Sequence, residues 1–360
     1  MKFSIKASEL FNLVHKVTSI SEGKTTDLSF HNNLKISVVN QGGTSLLLIE
    51  MYTRNSAIRV LHKLECESIS GVLGVQTKAL KDFVDRINKE LNLVFTLKDN
   101  MLNVFFGIGN VSFSANTEDA FPPFPDVSGA PETLTLSSTF FKDLGYAYPF
   151  RASDNSDRQH LRGVRFTEGK LIATTGFQIA IKECESIKTL QSEFTLPNLH
   201  NLKKCFDPSL DVVMSFLGSA VSFSQPGVQL INTVLTGKYP NWKVFLLTSP
   251  FVLLTSKTSE IKSALSLLSP FVAKKTPIVK ALFQKDLITL STSSGTNSGS
   301  VRIPCQYSGP EVLTGFNVDY LSEAIDCISS DDVTMEVRDA MSQLVVREPS
   351  YENRIMPARV

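Results

Sequence analysis

The chain has 360 residues, with 36 Lys and Arg against 35 Asp and Glu for a formal charge of +1. That balance excludes a uniformly basic nucleic-acid coat, so any contact with DNA must gather its positive charge on one face. No stretch approaches the roughly 18 uninterrupted apolar residues of a membrane span, and the opening MKFSIKASEL has no apolar signal core, so a soluble cytoplasmic protein is expected.

In chain order, Phe3 and Ile5 alternate like a strand, and Ser8 stands where a helix carrying Leu10, Leu13 and Val14 would be capped. TKALKDFVDRI (77–87) spaces Leu80, Phe83, Val84 and Ile87 at helical intervals. A hairpin follows: Leu93, Phe95 and Leu97, the turn Lys98-Asp99-Asn100, then the apolar run Met101 to Phe106. After the loop-rich DVSGAP (126–131), Leu134 and Leu136 form a strand, and Thr139, Phe141 and Leu144 a helix. LHNLKKCF (199–206) reads as a second helix, followed by DVVMSF, the turn Gly218-Ser219 and AVSFS. Beyond LTSP (247–250) the order returns once more. Val252 and Leu254 are followed by a helix with Ser259, Ile261 and Leu265, then YLSEAIDCI (320–328), DVTMEV and LVVRE. Each round closes on a large side chain before proline: Phe121-Pro122, Tyr239-Pro240 and Met356-Pro357, at intervals of 118 and 117 residues. Proline fixes φ and lacks an N–H, so it ends a ladder strand. Equal spacing and equal order predict three copies of one α+β domain, at 1–127, 128–248 and 249–360.

Catalytic patterns are missing. His15, His31, His62, His160 and His200 are scattered, without metal-ligand spacing. Cys66, Cys184, Cys205, Cys305 and Cys327 are odd in number and form no Cys-x-x-Cys pair, which suits reduced thiols. FGIGN, with Gly107 and Gly109, lacks the third glycine of a dinucleotide loop and reads as a strand irregularity. STSSGTNSGS (291–300) has no lysine for a phosphate loop and follows a strand, so it reads as a hairpin tip. No catalytic, cofactor or metal residue is expected.

MKFSIKASEL, FPPFPDV, LRGVRFTEGKLIATTGFQIAI (161–181), GKYPNW (237–242), FNVDYL (316–321) and the terminal IMPARV, in that order, resemble the beta subunit of bacterial DNA polymerase III, the beta sliding clamp family, over essentially the whole chain. The resemblance implies three clamp-type domains in a head-to-tail homodimeric ring, with helices lining the hole and antiparallel sheets outside. Such a ring encircles double-stranded DNA without reading its sequence and tethers a polymerase, which raises effective concentration without catalysis. A clamp loader would open it, and the clamp itself would bind no cofactor. A phage- or plasmid-type clamp scaffold serving a specialised polymerase is the alternative.

By the same resemblance, Lys24, Asn155, Arg158 and Gln159 would meet phosphates. Helix phase adds Lys78, Lys81, Lys203 and Lys204, for which a solvated surface is the plain alternative. A partner-peptide groove would take Thr174, Gly176, Phe177, Gln178, Ile179, Pro240, Val244, Phe245, Asn317, Tyr320, Met341, Met356, Pro357, Ala358 and Arg359, with Ile179, Val244 and Met356 as its floor. Ordinary core packing is the alternative for the apolar members. Phe177, Gln178 and Val244 replace the His or Arg common in the family, so the groove should be less basic. Asn198 and Leu199 stand where that family tends to place basic residues, and the corresponding third helix carries Asp319, Glu323 and Asp326. Ring closure would pair the edge strand NVSFSA (110–115), with Val111 and Phe113, against Leu267, Leu268 and Phe271.

Overall fold

A computed structural model describes residues 1–21, 29–116, 121–246 and 251–360. Lys24 lies outside them. One element order runs through the chain three times. The first round is β1 (Lys2–Lys6), α1 (Ala7–Thr18), β2 (Asn33–Gln41), β3 (Thr44–Tyr52), β4 (Ser56–Leu64), β5 (Gly71–Gln76), α2 (Thr77–Arg86), β6 (Asn92–Lys98), β7 (Met101–Phe106) and β8 (Gly109–Asn116). The second is β9 (Glu132–Leu136), α3 (Phe140–Ala147), β10 (Val164–Thr167), β11 (Lys170–Thr174), β12 (Gln178–Glu183), β13 (Phe194–Leu196), α4 (Leu202–Cys205), β14 (Val212–Phe216), β15 (Ala220–Gln225) and β16 (Val228–Thr233). The third is β17 (Val252–Lys257), α5 (Thr258–Leu268), β18 (Ile278–Gln284), β19 (Leu287–Ser294), β20 (Asn297–Pro304), the short β21 (Gln306–Tyr307), β22 (Val312–Asn317), α6 (Val318–Asp326), β23 (Asp332–Val337), β24 (Leu344–Glu348) and β25 (Tyr351–Ile355).

The chain divides into two compact units, residues 1–141 with 196–234, and 142–195 with 235–360. The first holds a sheet in the order β1-β6-β7-β8-β5-β2-β3-β4-β16-β15-β14-β9, in which β16 pairs antiparallel with β4, Leu230 opposite Ile58. Its core follows the sequence periods. Leu10, Val14 and Val17 fall on one face of α1, and Leu80 and Val84 on one face of α2, all buried. Phe3 and Phe95 face each other across β1 and β6 and stack at 4.6 Å. The expected turn is tight, with Asp99 and Asn100 at φ 50° and 57°, the left-handed pair that a two-residue hairpin demands.

The second unit holds a sheet in the order β13-β10-β11-β12-β25-β24-β23-β17-β21 and another in the order β20-β19-β18-β22. In the first of these, β12 pairs with β25, Ala180 opposite Asn353. Gly107 and Gly295, at φ 62° each, make the β7–β8 and β19–β20 turns, so FGIGN is a hairpin tip rather than an irregularity within a strand.

Helix starts differ from expectation. Ser8 does not cap α1. The helix begins at Ala7, and its first N–H groups donate to Leu91 O (2.9 Å) and Lys89 O (3.1 Å) from the loop after α2. Likewise Thr258 N, opening α5 one residue before Ser259, donates to Asp331 O (2.9 Å) after α6. Long-range carbonyls thus meet the orphan donors that a serine would otherwise take. LHNLKKCF is not one helix: a 3-10 turn, Leu199–Asn201, leads into the single turn of α4.

Candidate functional site

The β11–β12 turn builds one wall of a groove in the second unit. Thr174 Oγ1 donates to Gln178 O (2.6 Å) and accepts from Gly176 N (2.9 Å). Thr175 Oγ1 accepts from Phe177 N and Gln178 N, both at 3.3 Å. Gly176 sits at φ +93°, and a Cβ there would lie 2.2 Å from Arg158 Nη1, so only glycine suits the position. The turn throws Phe177 outward, 57% exposed, and tucks Gln178 inward at 2%. Gln178 Nε2 donates to Glu323 Oε2 (3.1 Å), while its Oε1 is buried without a partner among the described residues. Burial raises the Glu323 carboxyl above its usual range, and the Gln178 hydrogen bond opposes part of that shift.

The opposite wall is Tyr239, Pro240 and the 3-10 turn Trp242–Phe245. That turn is pinned by its last carbonyl, since Phe245 O accepts from Gln343 Nε2 (2.7 Å) and Arg354 Nη1 (3.0 Å). Arg354 is buried and pairs with Glu352, which also meets Arg347. The C-terminal strand closes the side: Met356 N donates to Phe177 O (2.9 Å) and Ala358 N to Gly315 O (2.8 Å). Between the walls lies a cavity of about 350 Å³. Beneath it Ala152, Leu161, Ile172, Ile179, Ile181 and Tyr239 form a packed apolar base, with Trp242 and Leu246 against it.

Of the groove residues expected from sequence, Thr174, Gly176, Phe177, Gln178, Ile179, Pro240, Phe245 and Met356 line this cavity. Val244, Asn317, Tyr320, Met341, Pro357, Ala358 and Arg359 do not. Val244 corrects the expected floor: it is 60% exposed on the outside of the 3-10 turn, and Leu161 and Tyr239 supply the apolar lining instead. Asn317 is the cap of α6, its side chain accepting from Asp319 N (2.8 Å) and Tyr320 N (3.3 Å). Sequence reading missed His160, Leu161, Tyr239, Trp242, Gln343 and Arg354. Trp242, the chain's one tryptophan, was a usable signal. Arg158, expected at DNA, lines the groove, its guanidinium 6.0 Å from the Phe177 ring. Asn155 and Gln159 are exposed in the same loop.

In the first unit, Lys81 and Lys204 come together with Asn12, His15, Lys16, Thr18, Ser19 and Ser21 around an open recess of about 570 Å³, while Lys78 and Lys203 are exposed nearby in sequence on α2 and α4. Lys16 and His15 were not anticipated.

Residues 250–359 match the family model for the DNA polymerase III beta subunit, C-terminal domain. The whole chain aligns with the beta sliding clamp of Escherichia coli strain K12 at 22% identity, covering all of both chains. It is 25% identical to that of Treponema pallidum over 72% of this chain and 73% of the relative. The backbone superposes on the crystal structure of the DNA polymerase III subunit beta from Pseudomonas aeruginosa with a TM-score of 0.92, at 16% identity and full coverage of both. The chain is thus similar to beta sliding clamps along its length, and residues 250–359 carry the family's C-terminal domain.

Among the described residues, two of the open strand edges lie beside the segments expected at ring closure. β8 pairs with β7 throughout but with β5 only at Ala115 and Asn116, which leaves Asn110 to Ser114 unpaired on one side. In the second unit β20 pairs only with β19. Beside β8, Phe83 packs on Phe106 (5.8 Å) and Phe113 (5.7 Å), and Ile108 stands fully exposed at the hairpin tip. Leu267 and Phe271 are exposed at 64% and 38%. Leu268 is not available as expected. It is 2% exposed, buried in its own unit close to Gly299.

Proposed function

We propose that the chain works as a non-catalytic sliding clamp, built of domains 1–127, 128–248 and 249–360 and closed as a head-to-tail homodimer around duplex DNA. The thrice-repeated element order supports the domain reading, and the open edges of β8, with its phenylalanines, and of β20 support closure by strand pairing. The observation that carries the functional reading is the groove of the second unit: a preformed apolar cavity with a few fixed polar groups, of the kind that accepts an extended peptide. Polymerase, clamp loader and other partners would be held there. Phe177 and Gln178 are not cationic, but Arg158 lines the groove beside Phe177, so apolar anchors would be joined by a carboxylate or carbonyl at that guanidinium. The cytoplasm, where a replication factor works, is the location this role requires.

The test is topological. Loaded clamp should stay on closed circular DNA and leave when the circle is cut, and the free protein should sediment as a dimer. A monomer, or equal loss from circular and linear DNA, defeats the reading.

A further inference from the structure

The helices of the two units carry opposite charge. In the first, α1, α2 and α4 hold six cations, Lys16, Lys78, Lys81, Arg86, Lys203 and Lys204, against three carboxylates. In the second, α5 and α6 hold one cation, Lys262, against Glu260, Asp319, Glu323 and Asp326. Within a chain of net charge +1, α1, α2 and α4 are therefore net positive and α5 and α6 net negative.

The cations of the first unit also converge. Lys16 from α1, Lys81 from α2 and Lys204 from α4 share one recess with His15 and the hydroxyls of Thr18 and Ser19. Lys81 is engaged by Asp85 (2.9 Å), which also meets His15 (2.7 Å). Among the described residues no carboxylate pairs with Lys16 or Lys204. Asp207 feels Lys16, but its low pKa comes chiefly from the Ser209 hydroxyl and backbone N–H. The Thr18 and Ser19 hydroxyls donate to His15 O (3.4 Å) and Lys16 O (2.6 Å), so the Lys16 and Lys204 ammonium groups are what the recess offers phosphodiester oxygens, and its openness imposes no base-specific geometry. In the second unit Lys262 is spoken for: its Nζ lies 3.9 Å from Asp326 Oδ1 and 3.4 Å from the carbonyls of Asp326 and Ile328.

We infer that this clamp grips the DNA backbone asymmetrically, with helical phosphate contacts confined to the Lys16–Lys81–Lys204 recess and none from the α5–α6 face. The inference rests on the clamp reading and adds which part of the chain touches DNA. Each phosphate neutralised contributes a slope of about −0.9 to log K against log salt.

The full-length protein is titrated against a fluorescein-labelled 40-base-pair duplex from 50 to 200 mM NaCl by anisotropy. Lys16→Ala/Lys204→Ala should flatten the slope by about 1.8, so that over the fourfold rise in salt its affinity falls about 12-fold less than that of the wild type. Lys262→Ala should leave the slope unchanged. Alanine suits helix surfaces, and matching circular-dichroism melts establish that the fold is kept. An unchanged slope in the double variant, or equal flattening in Lys262→Ala, overturns the inference. A wild-type protein that neither binds the duplex nor stays on circular DNA removes the clamp reading itself, a different failure.

Discussion

The C-terminal tail meets β22 at Gly315, beyond its Met356–Phe177 hydrogen bond, and replacing that glycine separates local from global stability. Gly315 lies in β22, where an added Cβ would meet Val360 Cγ1 at 2.4 Å, Ala358 O at 3.0 Å and Ile278 Cγ2 at 3.0 Å. Val360 is half exposed and swings away freely. Ala358 O is backbone, and its residue also donates the 2.8 Å hydrogen bond to Gly315 O. Gly315→Ala therefore pushes Ala358 back by a few tenths of an ångström and strains the bridge. Exchanging glycine for alanine within a strand gains about 0.5–1 kcal/mol, and full loss of the hydrogen bond would cost about 0.5–1.5 kcal/mol. The global urea midpoint should stay nearly constant. The Ala358 amide, which opens locally, should exchange about fivefold faster for each ~1 kcal/mol lost. Because Met356 lines the groove two residues earlier, peptide affinity should fall with it. Hydrogen exchange at the tail, read beside a urea titration, tests this. Unchanged protection at Ala358, or a global loss of several kcal/mol, would refute the packing argument.

Other consequences follow from the same contacts. Titrating the clamp with a groove-binding peptide should change Trp242 emission, since the chain's sole tryptophan lines the cavity; an unaltered spectrum at saturation places the peptide elsewhere. Leu268→Ala should destabilise the second unit by roughly 2–5 kcal/mol as a cavity mutation, whereas Ile108→Asp should split the proposed dimer in sedimentation while leaving the urea midpoint in place. The raised carboxyl of Glu323 makes protonation favour the folded state. Its contribution is complete below the ordinary value near 4.5 and fades as pH climbs through the higher folded value. Glu323→Gln should flatten that part of the urea-midpoint profile, and a profile identical to the wild type would dismiss the assignment.

Local pattern was legible wherever one residue's chemistry settled it. The helical phase of Leu80 and Val84, the left-handed turn at Asp99-Asn100 and the threefold order of elements all stand in the sequence, because period and turn chemistry act over a few residues. Gly176 was legible only through the family resemblance, and its φ of +93° gives the physical reason for a glycine there. What tertiary structure alone decided was partnership at a distance. Carbonyls of Leu91 and Lys89 took over the capping that Ser8 advertised, and that of Asp331 meets the first N–H of α5. Arg158 went to the groove, Val244 turned outward, Leu268 went inside, and Lys16 joined Lys81 and Lys204. In each case the competing environments differ in which distant segment comes to lie alongside; for the helix starts that is set by the pairing of β1 with β6 and of β17 with β23, long-range contacts that no local pattern encodes.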